Sequence, residues 1–374
     1  MAIDHPHDAL PPGYRLGGYE ILRVLGRGGF GLTYQARRLG VAGDMVAIKE
    51  LYPQALASRA SNLAVVPRSG TNPAEITDSI AMFLREGQLI CTLDHPHIVR
   101  GVESFGANGT GYLVMRYVSG KNLRESLRDP VGFRPNPQSL AVLLSPLLDA
   151  LGTLHGHHLL HCDIKPDNIF LGVGFEPILI DLGSARRHVS GVGGEDAGTY
   201  SHYFSAIEQV TDRFGPIGPW TDIYQLSAVL YRCVAGRKLP DAVVERAASS
   251  AGDPYLRLAE MPEVVKAYPR PLIDAIDQGL RLHPQHRPRT VAEWRRPMEA
   301  ILPRPAVRQK VAPPRSNRPA PPPLPPPQPP AQPLHDHTPV HPNPSTGSPS
   351  DPLIWIGGGL LSIILLIIYF LVTG

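Results

Sequence analysis

The chain has 374 residues, a formal net charge of +3 and 43% hydrophobic residues. That length holds two or three compact units with a real core, and so slight a basic balance argues against a nucleic-acid partner. The three cysteines (Cys91, Cys162, Cys233) are odd in number and widely spaced; they suit neither a disulfide framework nor a zinc site and fit a reducing compartment.

The N-terminus is polar and carries no secretory signal. Residues 1–18 read as a short disordered lead. Tyr19 to Leu25 alternates polar and apolar side chains and reads as a strand. It runs into Gly26-Arg27-Gly28-Gly29-Phe30-Gly31. Glycines at this spacing also occur in dinucleotide sites, but there they open a helix. Here Leu32-Thr33-Tyr34-Gln35-Ala36 follows, β-branched, aromatic and alternating, which predicts a second strand and a hairpin whose backbone amides lie over phosphates. Met45-Val46-Ala47-Ile48-Lys49 is an apolar strand that closes on a lysine. A buried ammonium needs an anion and an acid; Glu86, in the helical stretch 83–90, is expected to supply the acid. Residues 51–75 form a long connection. His95-Pro96-His97 reads as a turn, not a metal site. Gly111 to Met115 is a buried strand, and Arg116 to Gly120 a hinge between two lobes.

From Asn122 the pattern turns helical, with a core helix over 139–151. The next stretch, His161-Cys162-Asp163-Ile164-Lys165-Pro166-Asp167-Asn168, sets a carboxylate, an ammonium and an amide at offsets 0, +2 and +5. Asn168 to Leu171 and Pro177 to Ile180 predict a hairpin that brings Asp181 beside them. This is equipment for phosphoryl transfer, in which one acid takes the acceptor proton, a lysine neutralises charge and Asn plus Asp hold metal. A glycine-rich loop ending in Thr199-Tyr200-Ser201 is closed by Ala206-Ile207-Glu208-Gln209. Trp220 to Val234 is an apolar helix, with Asp222 placed to cap it or to tie down the 161–168 loop. A helix around 292–301 ends the globular part.

Of 42 prolines, almost half lie between Pro303 and Pro352. That tract cannot form helix or sheet and reads as an extended, semi-rigid linker. Its basic first half reads as solvated more readily than as a site for lipid or an acidic partner. Residues 353–373 carry no charge. At ~1.5 Å per residue they span ~31 Å, the thickness of a bilayer core, with Trp355 and Tyr369 at interfacial positions. A single C-terminal membrane span is predicted, with everything before it on the cytosolic side.

With these motifs in order, residues 19 to about 300 resemble a protein kinase domain, and the whole is similar to bacterial, eukaryotic-like Ser/Thr kinases that add a Pro-rich linker and one membrane helix. The resemblance implies an α+β bilobal fold: a lead at 1–18, a kinase domain at 19–300 (β-rich N-lobe 19–118, helical C-lobe 119–300), a linker at 301–352 and a transmembrane helix at 353–373. It implies that Asp163 deprotonates the acceptor hydroxyl, that Lys165 stabilises the transferring phosphoryl and marks Ser/Thr specificity, and that Thr199 supports the same loop. Lys49, held by Glu86, would grip the α- and β-phosphates. Asn168 and Asp181 would hold Mg²⁺, or Mn²⁺ in its place. Gly26, Gly28 and Gly31 would cover the phosphates of ATP, and Leu25, Thr33, Ala47, Met115 and Phe170 would line the adenine slot. Asp222 and Arg287 match the C-lobe anchors, Arg287 pairing with Glu208.

Several positions depart from the family pattern. Cys162 replaces the Arg before the catalytic Asp that reads an activation-loop phosphate, so activity without loop phosphorylation is expected. Leu182 stands for Phe, Ile207 for Pro with Ser205 nearby, Thr33 for Val, Arg116 for the hinge Glu and Ser227 for Gly. None removes a reacting group. The expected partners are protein substrates with Ser/Thr acceptors, a lipid bilayer and, through Gly357-Gly358-Gly359, a second copy of the chain. Two alternatives stand beside the enzyme: a pseudokinase scaffold that binds nucleotide or partners without turnover, and a chain whose tail is the working, membrane-recruiting part.

Overall fold

The computed structural model describes residues 8–28, 31–182, 186–187, 203–237, 239, 243–249 and 253–303. Gly29, Gly183, Thr199, the Pro-rich tract beyond Pro303 and the predicted span at 353–373 lie outside the described residues.

Alternation along the first strands builds a six-stranded sheet. It comprises β1 (Arg15–Leu16), β2 (Tyr19–Gly28), β3 (Gly31–Arg38), β4 (Met45–Leu51), β7 (Gly101–Ala107) and β8 (Thr110–Arg116), in the order β1-β2-β3-β4-β8-β7. Every pair is antiparallel. Register places Thr33 opposite Lys49, Lys49 opposite Leu113 and Ala47 opposite Met115 on one face. The intervening residues, Tyr34, Ile48, Tyr112 and Val114, point to the other face and pack into a separate apolar cluster. So Lys49 and its neighbour Glu50 are sent to opposite sides. The predicted β2–β3 hairpin forms, Gly28 pairing with Gly31. Gly31 is fixed by space: a Cβ there would sit 1.9 Å from the Glu50 carbonyl oxygen.

Two stretches differ from expectation. Residues 8–18 are packed, not disordered: Leu10 is fully buried, its amide hydrogen-bonded to the Tyr34 hydroxyl at 3.1 Å, and Leu16 is buried beside it. The apolar residues that do this are isolated among Pro and Gly, so no periodicity reveals them. The long connection after β4 contains a small hairpin, β5 (Ala57–Arg59) with β6 (Val65–Pro67). Arg59 donates to Glu50 at 2.6 Å from a site where the two side chains are 3% and 0% exposed. The Tyr34 and Tyr112 hydroxyls donate to the same carboxylate at 2.7 and 2.6 Å.

Helix α1 (Pro73–Thr92) is capped by the Asn72 side chain and packs on β7 and β8. Beyond β8 the chain crosses to the helical part at Gly120. Its φ is +142°, and a Cβ would meet the Leu171 carbonyl oxygen at 2.6 Å. Then follow β9 (Lys121–Asn122), α2 (Leu123–Arg128) and the predicted core helix α3 (Pro137–Gly156), nine of whose residues are buried. Among the described residues α3 alone is long and apolar enough to cross a membrane, and its burial makes it a core helix. Next come β10 (Leu159–Leu160), β11 (Ile169–Leu171), β12 (Pro177–Leu179), β13 (Arg186–Arg187), α4 (Ile207–Val210) and α5 (Pro219–Ala235). The helical part closes with α6 (Val243–Ala248), α7 (Pro262–Ala267), α8 (Arg270–Gly279) and α9 (Val291–Arg295). The last is shorter than the predicted 292–301, because Pro297 interrupts it and the chain continues as a 3₁₀ turn.

Candidate active site

The 161–168 loop is held from below by α5. Asp222, wholly buried in the first turn of that helix, accepts the His161 and Cys162 amides at 2.9 and 2.8 Å, and His155 of α3 at 2.8 Å. Burial works to raise the Asp222 pKa. The His155 hydrogen bond, the neighbouring His155 and His161 rings and the Cys162 amide outweigh it and hold the carboxyl below its ordinary value. Asp222 therefore ties down the loop. The His161 Nε2 faces the Ile180 carbonyl at 3.0 Å, while its Nδ1 faces the Asp163 amide at 3.3 Å. An imidazole making both bonds carries its hydrogen on Nε2.

On this base the three motif residues converge. The Lys165 Nζ lies 3.0 and 2.8 Å from the two Asp163 carboxylate oxygens. The Asn168 Nδ2 donates to the Asp163 carbonyl at 2.8 Å and to its Oδ2 at 2.9 Å. Since the amide nitrogen is used this way, the Asn168 Oδ1 is the atom left for a cation. The β11–β12 hairpin forms as predicted, and the Ile180 amide donates to the Asn168 carbonyl at 3.0 Å, which sets Asp181 next to Asn168. Asp181 itself has φ +62°, left-handed backbone that a non-glycine residue adopts only under local constraint. Leu182 is fully buried in the apolar core.

Lys49, 7% exposed, forms its ion pair with Asp181. The Lys49–Glu86 pair read from the sequence is not among the ion pairs of the described residues; Glu86 lies on α1, half-buried. A buried ammonium needs a carboxylate, and the left-handed turn at Asp181 provides one. Burial pushes the Asp181 pKa up, but the charge and hydrogen bond of Lys49 pull it further down, so the group stays an anion.

The expected Arg287–Glu208 pair forms at 2.7 Å with both side chains fully buried. Thr221 Oγ1 donates to the same carboxylate, and the guanidinium lies over the Tyr224 ring, 4.5 Å from its centroid. Of the adenine-slot residues, Ala47 and Met115 are cross-strand partners. Thr33 lies on the same face, Leu25 is 37% exposed near the glycine turn, and Phe170 sits on β11. Gly26 and Gly28 are exposed at the end of β2. Sequence reasoning missed Gln209 of α4 and Gln225 of α5, which hold the loop, and His155 of α3, which bonds the Asp222 carboxylate behind it. Gln225 interrupts an apolar stretch, the one signal that was available in the sequence.

A family model described as "Protein kinase domain" matches residues 19–296. The chain belongs to the protein kinase family. The serine/threonine-protein kinase pkn2 of Myxococcus xanthus is 31% identical over 260 residues, covering 65% of this chain and 28% of that protein. The serine/threonine-protein kinase PknD of Mycobacterium tuberculosis is 30% identical over 291 residues, covering 75% of this chain and 39% of that protein. The chain thus spans less than half the length of these relatives. Among solved structures, the apo form of PpkA-294 matches with a TM-score of 0.63 and 31% identity, over 78% of this chain and 99% of that one. The PknI kinase domain of M. tuberculosis, at 21% identity and a TM-score of 0.55 over the same shares of the two chains, shares the fold. A kinase domain of this family uses ATP, a divalent metal ion and a protein acceptor.

Proposed function

We propose that the chain is a Ser/Thr protein kinase that transfers the γ-phosphoryl of ATP, tethered to the cytosolic face of a membrane by residues 353–373. The observation that carries this reading is the convergence of Lys165 and Asn168 on the Asp163 carboxylate, with Asp181 one hairpin strand away.

In this reading Asp163 receives the acceptor hydroxyl's proton, its carboxylate aimed by Asn168. Lys165 shares that carboxylate at rest and turns its charge to the transferring phosphoryl. Lys49 binds the α- and β-phosphates, with Glu86 the acid that steadies it once Asp181 is engaged elsewhere. The donor set fits Mg²⁺: one carboxylate held anionic and one amide oxygen. Asn168 and Asp181 would hold that ion, which would offset the charge of the phosphates. Gly26, Gly28 and Gly31 cover the phosphates from above. Leu25, Thr33, Ala47, Met115 and Phe170 take the adenine, and Thr199 supports the base.

A nucleotide-binding scaffold without turnover has one observation in its favour, the Lys49–Asp181 pair, which occupies two groups that turnover requires. Phosphorylation of protein by radiolabelled ATP, compared between wild type and Asp163→Asn, separates the readings. A kinase loses its label in the variant, whereas equal labelling sinks it. Removing residues 303–374 should leave activity intact in solution and release the protein from membranes.

A further inference from the structure

Asp163 is flanked by two peptide groups, and both are gripped by one buried side chain. The Gln225 Oε1 accepts the Ile164 amide at 2.9 Å, and its Nε2 donates to the Cys162 carbonyl at 3.0 Å. Gln225 is 2% exposed. A second amide reaches the same carbonyl: the Gln209 Nε2 donates to it at 2.7 Å. The Gln209 Oε1 accepts from the Gln225 Nε2 at 2.9 Å and from the Ala206 amide at 2.9 Å. The two glutamines thus form one network, with Gln225 on α5 and Gln209 on α4, just past the end of the glycine-rich loop.

The grip falls where the backbone needs it. Cys162 has φ +61°, a conformation unfavourable for a residue with a side chain. Its amide is held by Asp222 and its carbonyl by Gln209 and Gln225. The Asp163 amide and carbonyl are taken by His161 and Asn168. The dihedrals on either side of Asp163 are thereby fixed by hydrogen bonds, with α4 supplying one of them directly.

We propose that Gln225 and Gln209 are positioning residues for Asp163, and that Gln209 couples the orientation of that carboxylate to the seating of α4 without any phosphate. The network does for this loop what an Arg reading a loop phosphate would do, at the position where the chain has Cys162. The inference rests on the reading of Asp163 as the proton acceptor. Misplacing a catalytic group by a fraction of an ångström lowers turnover while leaving nucleotide contacts on β2 to β4 untouched, so kcat and ATP affinity should separate.

The test measures kcat, the dissociation constant for ATP and the thermal midpoint in the full chain. The variants are Gln225→Leu, Gln209→Leu and Gln225→Glu, which keeps the Ile164 acceptor but sets a carboxylate oxygen against the Cys162 carbonyl. Tyr255→Phe, which removes a part-buried hydroxyl bond to Asp277 outside the loop and its network, serves as the control for lost stability. Gln225→Leu and Gln225→Glu should lower kcat about 10- to 100-fold and Gln209→Leu about 3- to 10-fold, with the ATP constant within about twofold of wild type. A kcat loss no greater than that of Tyr255→Phe at matched loss of thermal midpoint overturns the proposal, as does a parallel loss of ATP affinity. If wild type itself shows no Asp163-dependent transfer, the reading of the site fails and the inference falls with it. If wild type is active and the glutamine variants keep its kcat, the inference fails alone.

Discussion

Lys49 of β4 holds the Asp181 carboxylate, so the lysine meant for phosphates and the acid meant for metal neutralise one another. Replacing Lys49 by Met removes the largest attraction on the Asp181 carboxylate and leaves that of Lys165. Turnover should fall by about 10²–10³ or more, as when a preorganised charge is removed from a transition state. ATP-dependent phosphorylation by Lys49→Met measures this. Retention of more than about a tenth of wild-type turnover would count against Lys49 as the phosphate anchor.

Asp222 gives a prediction in pH. Its carboxyl is held below the ordinary range of ~3.9 despite full burial. A group whose folded pKa is depressed contributes stability that is complete above its unfolded value and is lost as pH falls through the folded one. Acid unfolding of the wild type should therefore steepen below about pH 4. Asp222→Asn should flatten that limb and lower stability at pH 7 by about 2–4 kcal/mol, since an amide can accept but cannot replace a carboxylate facing two amides and His155. Urea unfolding of both proteins between pH 3 and 7 checks it. Parallel curves would remove Asp222 as the source of the slope.

The loop and hairpin motifs were legible because chemistry fixes residue type and spacing together. Asp163, Lys165 and Asn168 at offsets 0, +2 and +5 meet in space as read, the glycine turn closes a hairpin, and Arg287 finds Glu208. What stayed hidden depends on partners remote in sequence. Leu10 is anchored by Tyr34, Arg59 by Glu50, and Gln225 by a backbone 61 residues away, and none of these leaves a periodic trace. The Lys49–Asp181 pair was hidden for a different reason. Glu86 was named as the lysine's acid and Asp181 as a metal ligand, and the pairing of Lys49 with Asp181 rests on a left-handed turn at Asp181 that residue type does not announce.

The Glu208–Arg287 pair predicts an asymmetric response. Both charges are fully buried, so removing one strands the other. Arg287→Ala should destabilise the helical part by about 3–5 kcal/mol. Arg287→Met combined with Glu208→Gln, which removes both charges, should recover part of that loss. A double-mutant cycle in urea gives the coupling, and strictly additive single changes would show that the pair is not the source of the stability.

Cys162 predicts independence from loop phosphorylation. The residue presents its backbone to Asp222, Gln209 and Gln225, and no arginine stands at its position to receive a phosphate. Phosphatase-treated protein should keep turnover within about threefold of the untreated sample. A collapse to background after treatment, restored by rephosphorylation, would mean that another cation reads the loop.

The packed N-terminal segment reaches the glycine turn. Asp8 makes a two-pronged contact with Arg27, at 3.1 and 2.6 Å, between Gly26 and Gly28, and its carbonyl accepts from Arg59. The ion pair is largely solvent-exposed, 41% and 25% at the side chains, so Asp8→Ala should cost only about 0.2–1 kcal/mol. Leu10 is different, being wholly buried with its amide on Tyr34. Leu10→Ala should destabilise the protein by about 2–5 kcal/mol. Deleting residues 1–13 should do at least as much, and it should also raise the KM for ATP by freeing the turn that Arg27 belongs to. Urea unfolding and ATP titration of the three variants separate the contributions. If the deletion lowers stability while the KM for ATP stays fixed, the segment is a structural strap only, and the Asp8–Arg27 contact has no part in holding the nucleotide.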